Sequence, residues 1–181
     1  MRKIVILLKF VFLVFGCASV QSQTETSDCS DLTSLEEINL EEIRPSMEKY
    51  LIDIESDKNG TNNENTIKTI YCPPTILAFE KNCSFPINAN IVKFYVSLLD
   101  IRKDTELILY ANSDTLEYKE NPEMNLKRAE TVKKIFTHYG IDSKRILIKN
   151  LGAEYPMDTN KTEQGRQNNK YVRLSIPNII S

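Results

Sequence analysis

The sequence predicts an α+β fold, a βαβαββ two-layer sandwich with a mixed four-stranded sheet and two main helices on one face. Three observations predict it. Four short apolar runs, at 75–79, 106–111, 144–149 and 171–176, have the length of strands. Two longer segments, 88–102 and 121–139, repeat apolar residues at helical spacing. All six follow a polar, Asn-rich break at 56–66, so they belong to one domain of modest size.

The N-terminus reads Met1-Arg2-Lys3, then the apolar Ile4 to Leu8, then Lys9 and a second short apolar run. A basic start, a short apolar stretch and small residues beyond it form an export signal. Lys9 interrupts the run, and crossing a bilayer takes about 20 apolar residues. Two exits from the signal stay open. Val14-Phe15-Gly16-Cys17 resembles a lipobox, which would make residues 1–16 a lipoprotein signal and Cys17 the lipid anchor. Cleavage after Ser22 would instead remove residues 1–22.

Residues 23–68 form an acidic leader and linker. Between Thr24 and Lys58 eleven Asp or Glu face only Arg44, Lys49 and Lys58, whereas the rest of the chain is slightly basic. Such a step separates a solvated leader from a packed domain. Within it Leu35, Ile38, Ile43, Met47, Leu51 and Ile54 recur at helical spacing, interrupted by Pro45. This reads as a kinked helix or two short ones, a strut between signal and domain. The following break brushes a calcium-loop pattern at Glu55, Asp57, Asn59 and Gly60, but Thr66 stands where a bidentate acid is required.

The domain proper is assigned to 69–181. Its first strand is TILAF, and its first helix carries Ile91, Phe94, Tyr95, Leu98 and Leu99 on one face. The second strand is ELILYA, expected parallel to the first because a helix joins them. Asn121 is expected as the N-cap of the second helix, with Pro122 at its first position. The stripe of that helix is Ala129, Val132, Ile135, Phe136 and Tyr139, and Gly140 stops it. KRILIK and the alternating YVRLSI supply the last two strands.

The composition excludes several functions. A net charge of -2 without a basic stripe excludes a nucleic-acid binder. The single histidine, His138, and the absence of any CxxC exclude a zinc site, so no metal or cofactor is expected. No nucleophile, base and oxyanion set can be assembled, so the chain is not expected to be an enzyme. In an exported protein one disulfide is expected among Cys29, Cys72 and Cys83, and the pairing stays open.

Beyond this, a set of short motifs recurs in order. Ala111-Asn112-Ser113-Asp114 ends the second strand; Asn121, Met124, Asn125, Arg128, Ala129 and Val132 mark the second helix. Gly140-Ile141, Arg145-Ile146, Gly152 and Pro156 follow, then Asn160, Thr162, Gly165, Arg166, Asn169, Lys170, Tyr171 and Val172. In this order and spacing the block resembles the OmpA-like peptidoglycan-binding domain of the peptidoglycan-associated lipoproteins and OmpA porins. The resemblance implies a non-catalytic protein of the bacterial envelope, periplasmic and associated with the outer membrane by a lipid anchor or a protein partner. It implies that peptidoglycan is bound non-covalently through the diaminopimelate of the stem peptide. In that family an Asp and an Arg at the positions of Asp114 and Arg128 hold this amino acid, with Ser113 and Asn121 as polar neighbours here. The chemistry is sound, since a carboxylate can take the ligand's ammonium and a guanidinium fork its carboxylate. The bland alternative is that Asp114 and Arg128 pair with each other.

The chain departs from the family in two places. The loop after Asp114 is one residue short, with Leu116, Tyr118 and Glu120 in place of the usual Gly-rich segment, and Lys170-Tyr171 replaces paired arginines. A second reading follows from these departures, a scaffold of the same fold that has lost wall binding and uses its acidic leader to meet another protein.

Overall fold

A computed structural model describes residues 74–177 together with 35, 39, 41, 42, 45, 47–49 and 51 of the leader. The elements in chain order are β1 (Ile76–Ala78), α1 (Ile91–Ile101), β2 (Leu107–Asn112), α2 (Thr115–Glu120), α3 (Met124–His138), a 3-10 turn (Ser143–Arg145), β3 (Ile146–Gly152), α4 (Glu163–Asn168) and β4 (Tyr171–Ser175). The export signal, Cys17, Cys29, Cys72 and the Asn-rich break lie outside the described residues.

The mixed four-stranded sheet has the order β1-β4-β2-β3. β2 and β3 are parallel, and β4 runs antiparallel to both β1 and β2. β1 and β2 therefore run in the same direction, as expected of strands joined by a helix, but they are not neighbours. The last strand is inserted between them, which satisfies the backbone of β4 on both sides and leaves the three-residue β1 as a short edge.

Helix α1 buries Val92, Tyr95, Val96, Leu98 and Leu99, so its inner stripe is rotated slightly from the expected one; Ile91 and Phe94 are only half-buried. Helix α3 packs on β2, β3 and β4 through Ala129, Val132, Ile135 and Phe136. It ends as expected at Gly140, which takes φ +85 while its amide donates to the Thr137 carbonyl at 3.0 Å and the Ile141 amide to that of Phe136 at 3.1 Å. That pair of bonds is the Schellman closure that glycine permits.

The leader is tied to the domain. Its described residues from Glu41 to Leu51 are helical, Pro45 included. Met47 and Leu51 are buried in the same apolar cluster as Leu77, Leu99 and Phe136, with Leu35 packed against it. The expected strut thus contributes two side chains to the core, because its apolar stripe finds a surface to cover.

The ends of two elements differ from the sequence reading. Asn121 does not cap the second helix; a turn intervenes, and α3 begins at Met124. Asn121 closes α2 instead, its amide donating to the Glu117 carbonyl at 2.7 Å. The third strand starts later, at Ile146, because Arg145 ends the 3-10 turn and donates to the carbonyls of Leu99, Arg102 and Thr105 at 3.0, 2.7 and 2.9 Å.

Candidate functional site

The carboxyl end of β2 delivers three buried polar residues in succession, Asn112, Ser113 and Asp114. Asn112 ties the surrounding loops together. Its amide nitrogen donates to the Asn169 carbonyl at 3.1 Å, and its oxygen accepts from the Tyr155 amide at 3.3 Å. Asp114 then turns the chain into α2. Its extended backbone makes it the N-cap, and Oδ1 accepts from the amides of Leu116 and Glu117 at 2.9 and 3.1 Å. Its other oxygen faces Lys170 Nζ at 3.1 Å.

Glu117 is the centre of the site. It is the one residue of α2 that is buried. Arg128 reaches it from the next helix as a two-pronged fork, Nη1 donating to Oε2 at 2.6 Å and Nη2 to Oε1 at 2.8 Å. The Ser113 hydroxyl donates to Oε2 at 2.7 Å and the Asn82 amide to Oε1 at 2.7 Å. Asn82 holds a left-handed φ of 59, a conformation that asparagine tolerates, and so aims its amide inward.

The rest of the Arg128 fork is also engaged. Nε donates to the Cys83 carbonyl at 2.9 Å and Nη2 to that of Glu80 at 3.0 Å, while Cζ lies 5.3 Å from the Phe79 ring centre. Cys83 is disulfide-bonded to a partner outside the described residues. Lys170 lies beside Gln167, whose amide donates to the Phe79 carbonyl at 2.8 Å. Asp114, Glu117, Arg128 and Lys170 are exposed by only 2%, 1%, 0% and 2%. Two acids and two bases thus share one interior, with no net charge.

These pairings decide the protonation of the two acids. Burial pushes the Asp114 carboxyl upward, but the Glu117 amide, Lys170 and the Leu116 amide outweigh it and hold the group below its usual value. Burial likewise opposes ionisation of Glu117; the Arg128 fork, the Asn82 amide and the Ser113 hydroxyl outweigh it in turn. Both are carboxylates at neutral pH.

The structure brings Asp114, Ser113 and Arg128 together around Glu117. Asp114 and Arg128 do not pair with each other; each has its own buried partner. Asn121 sits at the far end of α2, half-exposed. Sequence reasoning missed Glu117. The available signal was the Asp114-Thr115-Leu116-Glu117 spacing, that of a capping box, although this carboxylate turns to Arg128 rather than back to the cap. His138 lies exposed in the last turn of α3, at the opposite end of the helix from Arg128, with its ring against Tyr139. Among the described residues no group of His, Cys, Asp and Glu could hold a metal, and no helix is long and apolar enough to cross a membrane.

A mixed four-stranded sheet packed with helices, with buried polar residues gathered where β2 gives way to α2, makes this an α+β domain. Residues 86–170 match the model of the OmpA family, and the domain that contains them is an OmpA-like domain. The peptidoglycan-associated lipoprotein from Burkholderia pseudomallei has a similar fold, with a TM-score of 0.53 at 17% identity, over 57% of this chain and 90% of that one. The outer-membrane lipoprotein YfiB of Pseudomonas aeruginosa is 33% identical over 57 residues, 32% of this chain. The aligned stretch spans about a third of the length of that curated relative, 34% of it.

Proposed function

We propose that the protein is a non-catalytic peptidoglycan-binding module of the bacterial envelope, held at the outer membrane by a lipid on Cys17 or by a protein partner. In this reading it anchors the outer membrane or a periplasmic assembly to the wall by gripping the diaminopimelate of the stem peptide. The observation that carries it is the meeting of Asp114, Ser113 and Arg128 at the carboxyl end of β2 in an OmpA-like domain. Ligand sites gather at strand ends of this kind. A fixed carboxylate and a guanidinium fork, each in contact with Glu117, have the chemistry to take the ammonium and carboxylate at the free end of diaminopimelate. The similarity to an outer-membrane lipoprotein and to a peptidoglycan-associated lipoprotein supports the same compartment.

One observation favours the second reading, a scaffold of this fold without wall binding: both charged groups are already paired and buried. Calorimetric titration of residues 23–181, which keep Met47 and Leu51, with a diaminopimelate-containing muropeptide separates the two. The panel is the native sequence, Asp114→Ala, Arg128→Lys and Glu117→Gln. Loss of one partner of a desolvated charged pair costs about 2 to 5 kcal/mol of binding. Wall anchoring predicts binding that Asp114→Ala and Arg128→Lys remove while the fold persists. Failure of every folded protein in the panel to bind, Glu117→Gln included, removes that reading and leaves the scaffold.

A further inference from the structure

Taking the pocket at Asp114 and Arg128 as the ligand site proposed above, we infer that the chain occupies it from within, Glu117 standing in for a ligand carboxylate and Lys170 for a ligand ammonium. The two halves are filled in kind. The donors by which Arg128 would fork a ligand carboxylate go to Glu117 at 2.6 and 2.8 Å, and its Nε goes to Cys83. The Asp114 oxygen left free by the helix cap faces the Lys170 ammonium at 3.1 Å. A ligand bearing both groups must displace both side chains.

The packing of α2 makes Glu117 a cover instead of an ordinary core residue. An amphipathic helix buries its apolar side chains. Here Leu116 and Tyr118 stand 51% and 37% exposed, and the ionised Glu117 is the only side chain that α2 sends inside. Around it, Thr115, Lys119 and Glu120 are exposed, and the ion pair from Glu120 to Lys81 lies in solvent. The anchor of this helix is thus a carboxylate in a carboxylate-binding fork, which an incoming carboxylate can replace with like charge and like hydrogen bonds. A leucine anchor would offer no such exchange. The apparent affinity for an external ligand is then the intrinsic affinity reduced by the fraction of time that the fork is free.

The test has two arms, both on the full chain. In the first, a diaminopimelate-containing muropeptide is titrated into the native protein, Glu117→Gln, which keeps the shape and removes the charge, and Lys170→Met. The expected result is binding at least about tenfold tighter in the variants, as the open fraction rises. In the second, the melting temperature of Glu117→Ala is followed in sodium acetate and in sodium chloride at equal ionic strength. Acetate should refill the vacated fork and restore stability that chloride does not. Native binding that the variants equal or weaken makes Glu117 part of the wall contact and overturns the inference while wall binding stands. No muropeptide binding by any folded protein sinks the wall-binding reading instead, and internal occupancy is then judged by acetate. An acetate effect no larger than that of chloride, or a variant unfolded in both salts, overturns the inference whatever the first arm gives.

Discussion

Glu117 and Arg128 form a forked ion pair in the interior of the domain, with both side chains out of reach of water. Neither charge would be tolerated there alone, since an isolated ion in a low-dielectric interior costs several kcal/mol after relaxation. The pair joins the six-residue α2 to α3 and, through the Cys83 and Glu80 carbonyls, to the loop after β1.

Breaking the pair from either side should therefore be more harmful than removing it whole. Arg128→Ala leaves the Glu117 carboxylate buried and unpaired, at an expected cost of about 3 to 5 kcal/mol. The double substitution Glu117→Met with Arg128→Met replaces both ions by apolar volume and should be less destabilised than either single change. Urea unfolding of Glu117→Met, Arg128→Met and the double variant checks this, and a double variant weaker than both singles refutes it.

Stability should fall in acid, with a sign fixed by the two carboxylates. Asp114 and Glu117 both titrate below their ordinary values in the folded state, so the unfolded chain binds protons first as pH drops. Their contribution is fully present above the unfolded-state carboxylate pKa of about 4, and it is lost as pH falls through the depressed folded values. Denaturation followed from pH 7 to pH 3 should show this loss, and Glu117→Gln should show a shallower slope than the native chain. Equal slopes would mean that Glu117 carries none of the linkage.

The leader should behave as part of the domain. Met47 and Leu51 are buried in the common core, so Met47→Ala and Leu51→Ala should each cost about 2 to 5 kcal/mol. A chain begun at residue 59 loses both and should unfold at lower urea than one begun at residue 23. Coincident transitions would show that the leader adds nothing.

Gly165 is required for space. A Cβ there would stand 2.0 Å from the Thr159 carbonyl oxygen, a backbone atom that can yield only by moving the loop ahead of α4. Gly165→Ala should destabilise the domain by about 1 to 3 kcal/mol. Calorimetric melting of the variant measures it, and an unchanged midpoint would place the 159–162 turn elsewhere in solution.

Much of this architecture was legible in residue patterns. The strand ELILYA and the stripe from Ala129 to Phe136 bury the faces that their periodicity assigns, because that periodicity is what burial selects. YVRLSI alternates like a half-exposed strand, yet it is buried on both faces except at Arg173, because β4 lies inside the sheet between β1 and β2. The stop at Gly140 was legible because glycine takes φ +85 without penalty. α2 was not legible. Its apolar residues face solvent and its interior anchor is a glutamate, the reverse of the pattern by which helices are recognised. The Asn121 cap failed for a related reason: α2 already claims that residue as its end.

The sequence by itself determined the order and type of the main elements, the OmpA-like motifs and the presence of Asp114 and Arg128, since local periodicity and ordered spacing are properties of the chain. Only the tertiary structure decided their partners. Asp114 meets Lys170 across 56 positions of sequence because β4 is inserted beside β2, and Arg128 meets Glu117 because α3 packs back over the same strand end. Charges choose partners by distance in space and by shared exclusion from water, and neither is written in the spacing of residues along the chain.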